Sequence, residues 1–471
     1  MDINEFRKNA HRAVDWIADY YENIEKFPVK SQVAPGDIYK RLKSQPPANG
    51  ESFERIFDDF QNIIMPGITH WQSPNFFAYF PANSSFPSIL GEMLTAALGA
   101  QCMIWETSPA AAELEEMTAQ WLGRMIGLPS EFHGVIQDTA STATLVSLLT
   151  ARELASDFEI NKHGYAGSKF RVYCSAEAHS SIEKDVKIAG IGRDNLVKIP
   201  ADSNFAMIPS ELRKAIEMDI AAGLQPLAIV AALGTTSSCA IDPLDEISRI
   251  AERYRLWLHV DAAYAGSALV LDEYRPWLQG IGRVDSFVFN PHKWMFTNFD
   301  CSVYFVRNKE ALIRTFEIMP EYLKTGSDTH VKNYRDWGVQ LGRRFRALKL
   351  WFVIRSFGTE GIKSIIRKHI ENIQTIKKLM ESENDFEILA PVNLNLICFR
   401  YHPDGIENQN ELNHLNEKIL QKINSTGEIY MTHTKLAGNY VMRLVAGQTH
   451  VEMRHLDRAW EIIRASARNM T

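Results

Sequence analysis

Six short apolar runs between residues 170 and 307 constrain this chain more than any other feature. They read FRVYCSA (170–176), NLVKIPA (195–201), PLAIVAALG (226–234), LWLHVDAA (256–263), SFVFNP (286–291) and CSVYFVR (301–307). Each is short for a helix and too continuously apolar for a strand with one face in water, so each suits a strand buried on both faces. Amphipathic stretches such as SELRKAIEMDIAAG and LDEISRIAERYR fill the gaps between them. That alternation predicts βαβ units and a mostly parallel sheet, an α/β fold. Two further signals precede the runs. GVIQDTASTATLVSLLTAREL reads as strand, turn and helix, and a helix is predicted to start at Ser108 with Pro109 in its first position.

The flanks differ from this middle. Phe6, Ala10, Ala13, Val14 and Ile17 recur at helical spacing near the start, and Pro28, Pro35, Pro46 and Pro47 break the next stretch into pieces. Residues 1–85 therefore read as an N-terminal helical segment with little core of its own, expected to serve a dimer. Residues 86–364 form the large domain. Residues 365–471, with FEILAP, LNLICFRY and YVMRLVAG as strands, read as a small α+β domain. The polar stretch 320–335 reads as a mobile loop, followed by a long helix near 340–357.

Composition excludes several classes. The net charge of −6 leaves no basic excess to hold a phosphate backbone, so neither nucleic acid nor an anionic membrane surface is an expected partner. Apolar residues make up 45% of the chain, enough for a large core, yet no apolar run is long enough to span a membrane. Five scattered cysteines, with no CxxC spacing, argue against a disulfide framework and against a zinc site. The N-terminus lacks the apolar stretch of a signal peptide. The expectation is a cytoplasmic protein with no metal. There is no GxxxxGK[ST], GxGxxG, HExxH or GxSxG, which removes the P-loop, Rossmann, zincin and α/β-hydrolase readings.

The remaining candidates are polar residues at strand ends, where open α/β sheets bind ligands. LWLHVDAAYAG ends an apolar strand in Asp261, followed by small residues that leave room for a flat ring. SFVFNPHKW places Asn290, His292 and Lys293 just past another strand, with Lys293 32 residues after Asp261. A buried carboxylate and a strand-end lysine fit pyridoxal phosphate: the amine condenses with the aldehyde and the carboxylate keeps the pyridine nitrogen protonated. A structural Asp–Lys ion pair is the alternative. Thr139, Ala140 and Ser141 sit at a helix N-terminus, where free N–H groups favour a phosphate, although an ordinary N-cap reads the same way. His179 in CSAEAHSS could stack on a cofactor or be a satisfied structural histidine; His259, inside its strand, reads as structural. HWQSPNFFAYFPANSS (70–85) is either core or the lining of an aromatic side-chain pocket.

Together these segments resemble the group II pyridoxal-phosphate decarboxylases, specifically the aromatic-L-amino-acid decarboxylases. HWQSPNFFAYFP, VIQDTASTATLVSLLTAR, EAHSSIEK, GTTSS, LHVDAAYAGSA, NPHKW and LGRRFRALKLWFVIR carry the resemblance in order along nearly the whole chain. It implies a pyridoxal-phosphate-dependent transferase-like large domain of the aspartate aminotransferase type, and a homodimer with its site at the interface. It implies that Lys293 forms the Schiff base, Asp261 pairs with the pyridine nitrogen, Ala263 packs on the ring and His179 stacks on its other face. Thr139, Ala140, Ser141, Asn290 and His292 would hold the phosphate, with Thr236 near the ring. Trp71, Tyr79, Phe80 and Pro81 would line the substrate pocket, Met103 would reach the neighbouring subunit's pocket, and Tyr322 would return a proton to the substrate carbon. Gly342 matches a position where plant members carry glycine when they prefer indoles and serine when they prefer phenols, which points to tryptophan, with tyrosine, phenylalanine and dopa in range. Two departures stand out: Ala82 replaces a threonine of animal members, and Asp138 lies beside the phosphate turn, where it is expected to point away. Competing expectations are an aromatic aldehyde synthase, whose members resemble this chain but carry phenylalanine in place of the loop tyrosine, and a decarboxylase of another amino acid such as histidine.

Overall fold

The computed structural model describes residues 1–165, 167, 169–318 and 331–470. These divide into two compact units. The larger comprises Ala82–Gln374 and Ile388–Cys398, and the smaller comprises Met1–Pro81, Thr375–Glu387 and Phe399–Thr471. Residues from both ends of the chain thus share the smaller unit.

The larger unit is built on a seven-stranded sheet. Its strands are β1 (His133–Gln137), β2 (Phe170–Ser175), β3 (Leu196–Ile199), β4 (Gln225–Ala232), β5 (Trp257–Asp261), β6 (Ser286–Phe289) and β7 (Ser302–Val306). The order is β1-β7-β6-β5-β4-β2-β3. Every pairing from β6 to β3 is parallel, and β7 runs antiparallel to both its neighbours. The six apolar runs are therefore strands, and the mostly parallel α/β expectation holds. β1 is antiparallel to β7 and β7 to β6, so β1 and β6 point the same way. Six of the seven strands thus end at one edge of the sheet.

Helices cover the sheet because its central strands are apolar on both faces; β3, at the edge, is only half-buried and exposes Lys198, so the expectation of burial on both faces does not hold for that run. β6 and β7 are wholly buried. Helix Ala140–Ala155 inserts Ala143, Val146 and Leu148 into a core that also takes Val172 from β2 and Val230 from β4. The helix beginning at Pro109 runs to Met125, with Ser108 preceding it. Helix Phe86–Leu98 approaches the later long helix closely at Gly91, where a Cβ would lie 2.7 Å from the Lys349 Cα. That long helix is Arg346–Glu381 rather than 340–357, and it is interrupted at Gly358, whose φ is 65°.

A second, four-stranded sheet, most of whose residues belong to the smaller unit, consists of β8 (Phe386–Ile388), β9 (Leu396–Tyr401), β10 (Thr432–Leu436) and β11 (Asn439–Val445), in the order β10-β11-β9-β8. Helix Gln409–Ser425 packs on β11 and on helix Met453–Arg468. The N-terminal helix Ile3–Glu22 is closed by a capping box between Asp2 and Glu5 and buries none of its side chains. The chain around residues 29–78 is stitched to the C-terminal part: Val29 N–H donates to the Gly427 carbonyl (2.8 Å), and Phe77 N–H to that of Tyr430 (2.9 Å).

Candidate active site

The sheet's topology gathers the motifs. Thr139 follows β1, His179 follows β2, Thr236 follows β4, Asp261 ends β5, and Asn290, His292 and Lys293 follow β6. These are the C-terminal ends of strands that point the same way, the edge where such sheets hold ligands. Two glycines let the backbone close up there. Gly266, in the DAAYAG segment, has no room for a side chain, because a Cβ would come within 2.4 Å of the Phe289 Cβ. Gly234 turns the chain after β4 with φ +89°.

Lys293 lies on a single helical turn, Pro291–Trp294. Burial disfavours its ammonium form and pushes its pKa down, while Asp261 pulls the other way. The turn is held from several sides. Asn83 donates its side-chain N–H to the Lys293 carbonyl (2.7 Å) and its backbone N–H to the His292 carbonyl (2.9 Å). Asn290 N–H donates to the Ala263 carbonyl (3.0 Å), and its Oδ1 accepts from Ser302 (2.6 Å). The Trp294 indole donates to His369 (3.0 Å) and stacks on Tyr264 at 5.0 Å, both fully buried.

Asp261 is the electrostatic centre of the cluster. Its charge acts on Lys293, His179, Asp185 and His259. Its Oδ1 accepts from the Ala263 N–H (3.0 Å), which fixes the carboxylate at the strand end. His179 is shifted down, first by burial, and the Ser181 N–H donates to its Nδ1 (3.2 Å). The same Nδ1 lies 2.8 Å from the Ser181 hydroxyl, so Ser181 fixes this edge of the ring, and burial disfavours the imidazolium. His259 is a satisfied core residue: its ring nitrogens engage Thr144 (3.2 Å) and Ser286 (2.9 Å), and burial lowers its pKa to about 4.

The helix after β1 starts at Ala140, with Thr139 as its cap; Thr139 Oγ1 accepts from the Thr142 N–H at 3.4 Å. First-turn N–H groups have no acceptor within a helix, so this end is suited to an anion. Asp138 does not point away from the turn. Its Oδ1 accepts from the Thr139 N–H at 2.6 Å, so the carboxylate takes up a donor of the turn itself. His292 is neutral, with burial pushing its pKa to about 3, and its Nδ1 accepts from the Cys301 N–H (2.9 Å). Thr235 is buried and bonded within its own turn, whereas Thr236 is exposed.

Met103 and Gly342 belong to the larger unit as well. The Met103 carbonyl accepts from Arg335 N–H (2.8 Å). A side chain at Gly342 would meet Gln101 Nε2 at 3.2 Å. Of the stretch 320–335, residues 320–330, including Tyr322, lie outside the described residues; Tyr334 and Arg335 belong to a buried turn. Arg343 anchors this region with a bidentate pair to Glu115 (2.6 and 3.1 Å) and lies over the Tyr334 ring at 4.8 Å. Neither Asn83 nor the Arg343–Glu115 pair carries a sequence signal; both join residues more than 200 positions apart.

The aromatic stretch lies in the smaller unit, and it is of two kinds. Phe76 and Phe77 are core, at 1% and 0% exposure, whereas Trp71 and Tyr79 are 36% and 47% exposed. Trp71 and Tyr79 stack at 5.7 Å and 15°. Tyr79 has φ 52°, and its hydroxyl meets that of Tyr430 at 3.2 Å. Phe80 lies under the Arg443 guanidinium at 5.4 Å, and Pro81 is buried.

Comparison with known proteins gives the class. Residues 35–402 match the family described as the pyridoxal-dependent decarboxylase conserved domain. The chain belongs to that family. It is 44% identical to tryptophan decarboxylase 2 of Oryza sativa subsp. japonica over 99% of this chain and 95% of that protein. It is 43% identical to phenylacetaldehyde synthase of Arabidopsis thaliana, over 99% and 96%. The crystal structure of Catharanthus roseus tryptophan decarboxylase in complex with L-tryptophan superposes with TM-score 0.94 at 41% identity, covering 100% of this chain and 99% of that one.

The cofactor is pyridoxal phosphate, and the donor set fits it: a lysine whose burial favours the neutral amine, a carboxylate for the ring nitrogen, a neutral imidazole, a small residue at 263 and a helix N-terminus for the phosphate. When bound, this cofactor supplies an electron sink for a bond broken at the amino acid's α-carbon. The protein is a carboxy-lyase.

Proposed function

We propose that the chain decarboxylates aromatic L-amino acids, tryptophan foremost, to arylalkylamines and CO2. The observation that carries the substrate class is the stacked, half-exposed Trp71–Tyr79 pair, an apolar ring surface of the kind that binds another flat ring. Lys293 holds the cofactor covalently, Asp261 keeps a proton at its ring nitrogen, and His179 lies against its face. Thr139, Ala140, Ser141, Asn290 and His292 receive the phosphate, with Thr236 and Ala263 at the ring. Trp71, Tyr79, Phe80 and Pro81 receive the substrate side chain, and Gly342 leaves space for an indole. Tyr322 returns a proton to the substrate's α-carbon. The identity to a phenylacetaldehyde synthase makes aldehyde formation the competing outcome, and the tyrosine at 322 favours the amine.

The active form is a homodimer to which Met103 contributes across the interface. Phe86, Leu90, Leu94 and Leu98 form an apolar stripe along helix Phe86–Leu98, each 48–64% exposed, a surface suited to burial by a second copy. The setting is the cytoplasm: all five cysteines are buried thiols outside any disulfide. Among the described residues, no helix is long and apolar enough to cross a membrane.

One competition assay tests the substrate reading. Tryptophan, tyrosine, phenylalanine, dopa and histidine are supplied together and the products identified. Tryptamine as a main product, with one CO2 per amine, is expected. Mainly aldehyde and peroxide, or only histamine, would overturn it.

A further inference from the structure

Beside the site lies an ionisable group that the proposed chemistry does not use. Asp185 lies on helix Ser181–Ile188, which begins two residues after His179. Its side chain is turned inward beside Ile182 and Val186, and the residue is 2% exposed. The helix packs on Ala140–Ala155, the helix of the phosphate turn. Asp185 Oδ2 is fully buried and has no hydrogen-bond partner among the described residues. A charge shared with that oxygen is costly, since no hydrogen bond there replaces its lost water.

The charges around Asp185 can be assigned. Asp261 on β5 acts on it as a like charge, and Lys184 on its own helix acts weakly in the opposite sense. Arg152 and Glu153 of the packed helix pair with each other, and Arg152 also donates to the Ala189 carbonyl at the far end. Glu183 faces Arg193 and Lys198 instead. His179 and Lys293 answer to Asp261. Burial first, and Asp261 second, push the Asp185 carboxyl up to about 7.

We propose that Asp185 is a positioning residue for Asp261: a buried carboxyl that holds a proton in the cofactor-free protein, and releases it when a cationic ring nitrogen pairs with Asp261. Two carboxyls that act on each other as like charges do not ionise independently. Neutralising one by a cation frees the other to lose its proton. Cofactor binding and deprotonation of Asp185 are then linked, and cofactor affinity rises with pH through neutrality. A shift of about half a pH unit in Asp185's proton affinity gives about a threefold change in cofactor affinity between pH 6 and pH 8.

This rests on Asp261 being the ring-nitrogen partner, so the two are tested side by side. Pyridoxal phosphate is titrated into cofactor-stripped wild type, Asp185→Asn, Asp185→Ala and Asp261→Asn by calorimetry, at pH 6, 7 and 8. Each titration is run in two buffers of different ionisation heat, to count protons released. Wild type should release more protons at pH 7 than either Asp185 variant, and its affinity should rise about threefold more steeply with pH. Equal proton counts and parallel pH profiles in wild type and both Asp185 variants would overturn the proposal. So would failure of both variants to fold, which would make Asp185 a structural group. Unchanged affinity and cofactor absorbance in Asp261→Asn would instead overturn the reading of Asp261, independently of Asp185.

Discussion

The Lys293 corner and the Trp71–Tyr79 face are built in opposite ways. The corner is over-determined. Its residues sit at the ends of buried strands, and its turn is held by Asn83, Asn290, Ser302, Trp294 and His369. The aromatic face rests on an irregular, proline-containing segment, with its two rings half in water and Tyr79 at a positive φ. The buried Phe76 and Phe77 beside them anchor it. Chemistry needs atoms held to fractions of an ångström, whereas recognition of a flat side chain tolerates adjustment. The first region should therefore fail abruptly when altered and the second by degrees.

Substitutions can break or sharpen that contrast. The largest effect is expected for Lys293→Ala, a loss of at least about 10³-fold in kcat together with loss of the absorbance of covalently attached cofactor. Asp261→Ala should lower kcat by about 10²–10³-fold, because it removes the electrostatic contact proposed for the ring nitrogen. Trp71→Ala should raise KM about tenfold and leave kcat and thermal stability nearly unchanged; a collapse of kcat would erase the contrast.

Acid should find the corner first. His292 and His369 are held neutral by burial, both near 3. The unfolded chain binds protons at these sites below about pH 6.5 and the native state does not, so their contribution to stability is lost as pH falls below that value. His369→Gln should therefore recover up to about 2 kcal/mol of the stability that wild type loses between pH 7.5 and pH 5, as measured by urea unfolding. The smallest effect is expected for Asn83→Ala. Leaving the Lys293 carbonyl without its donor should cost about 1–2 kcal/mol in stability, read from the urea midpoint, and weaken cofactor binding modestly.

Much of the larger unit is legible in the sequence because the information is local. Five of the six apolar runs are interior strands and the sixth, NLVKIPA, is the edge strand β3, whose Lys198 is exposed; residues placed just after the runs that point the same way fall at one edge of the sheet. Asp261, Lys293 and His179 are found by that rule alone. The rest depends on distant partners. Arg343 finds Glu115 across 228 positions, and nothing in either neighbourhood announces it. Asp138 departs from its expected orientation because its bond to the adjacent N–H depends on a side-chain torsion, which residue order does not encode. Asp185 hides in an ordinary amphipathic helix, where an acidic residue reads as surface. β10, THTKL, alternates half-buried and exposed residues at a pitch too polar to stand out. The helix expected to end near 357 extends to Glu381, because helical structure resumes directly after the break at Gly358.

The shared ownership of the smaller unit by the two chain ends has a consequence in time. The Tyr79 N–H donates to the hydroxyl of Thr432, 353 residues later. At a synthesis rate of about 5–20 residues per second, the aromatic segment emerges roughly 20–70 s before that partner exists. The larger unit can complete most of its sheet in the interval, while Trp71, Phe76 and Phe77 wait uncovered. The hazard for this protein in a cell is therefore greatest before the last strands are made, and a chain truncated after β9 should aggregate through Phe76 and Phe77, the rings that the finished chain buries.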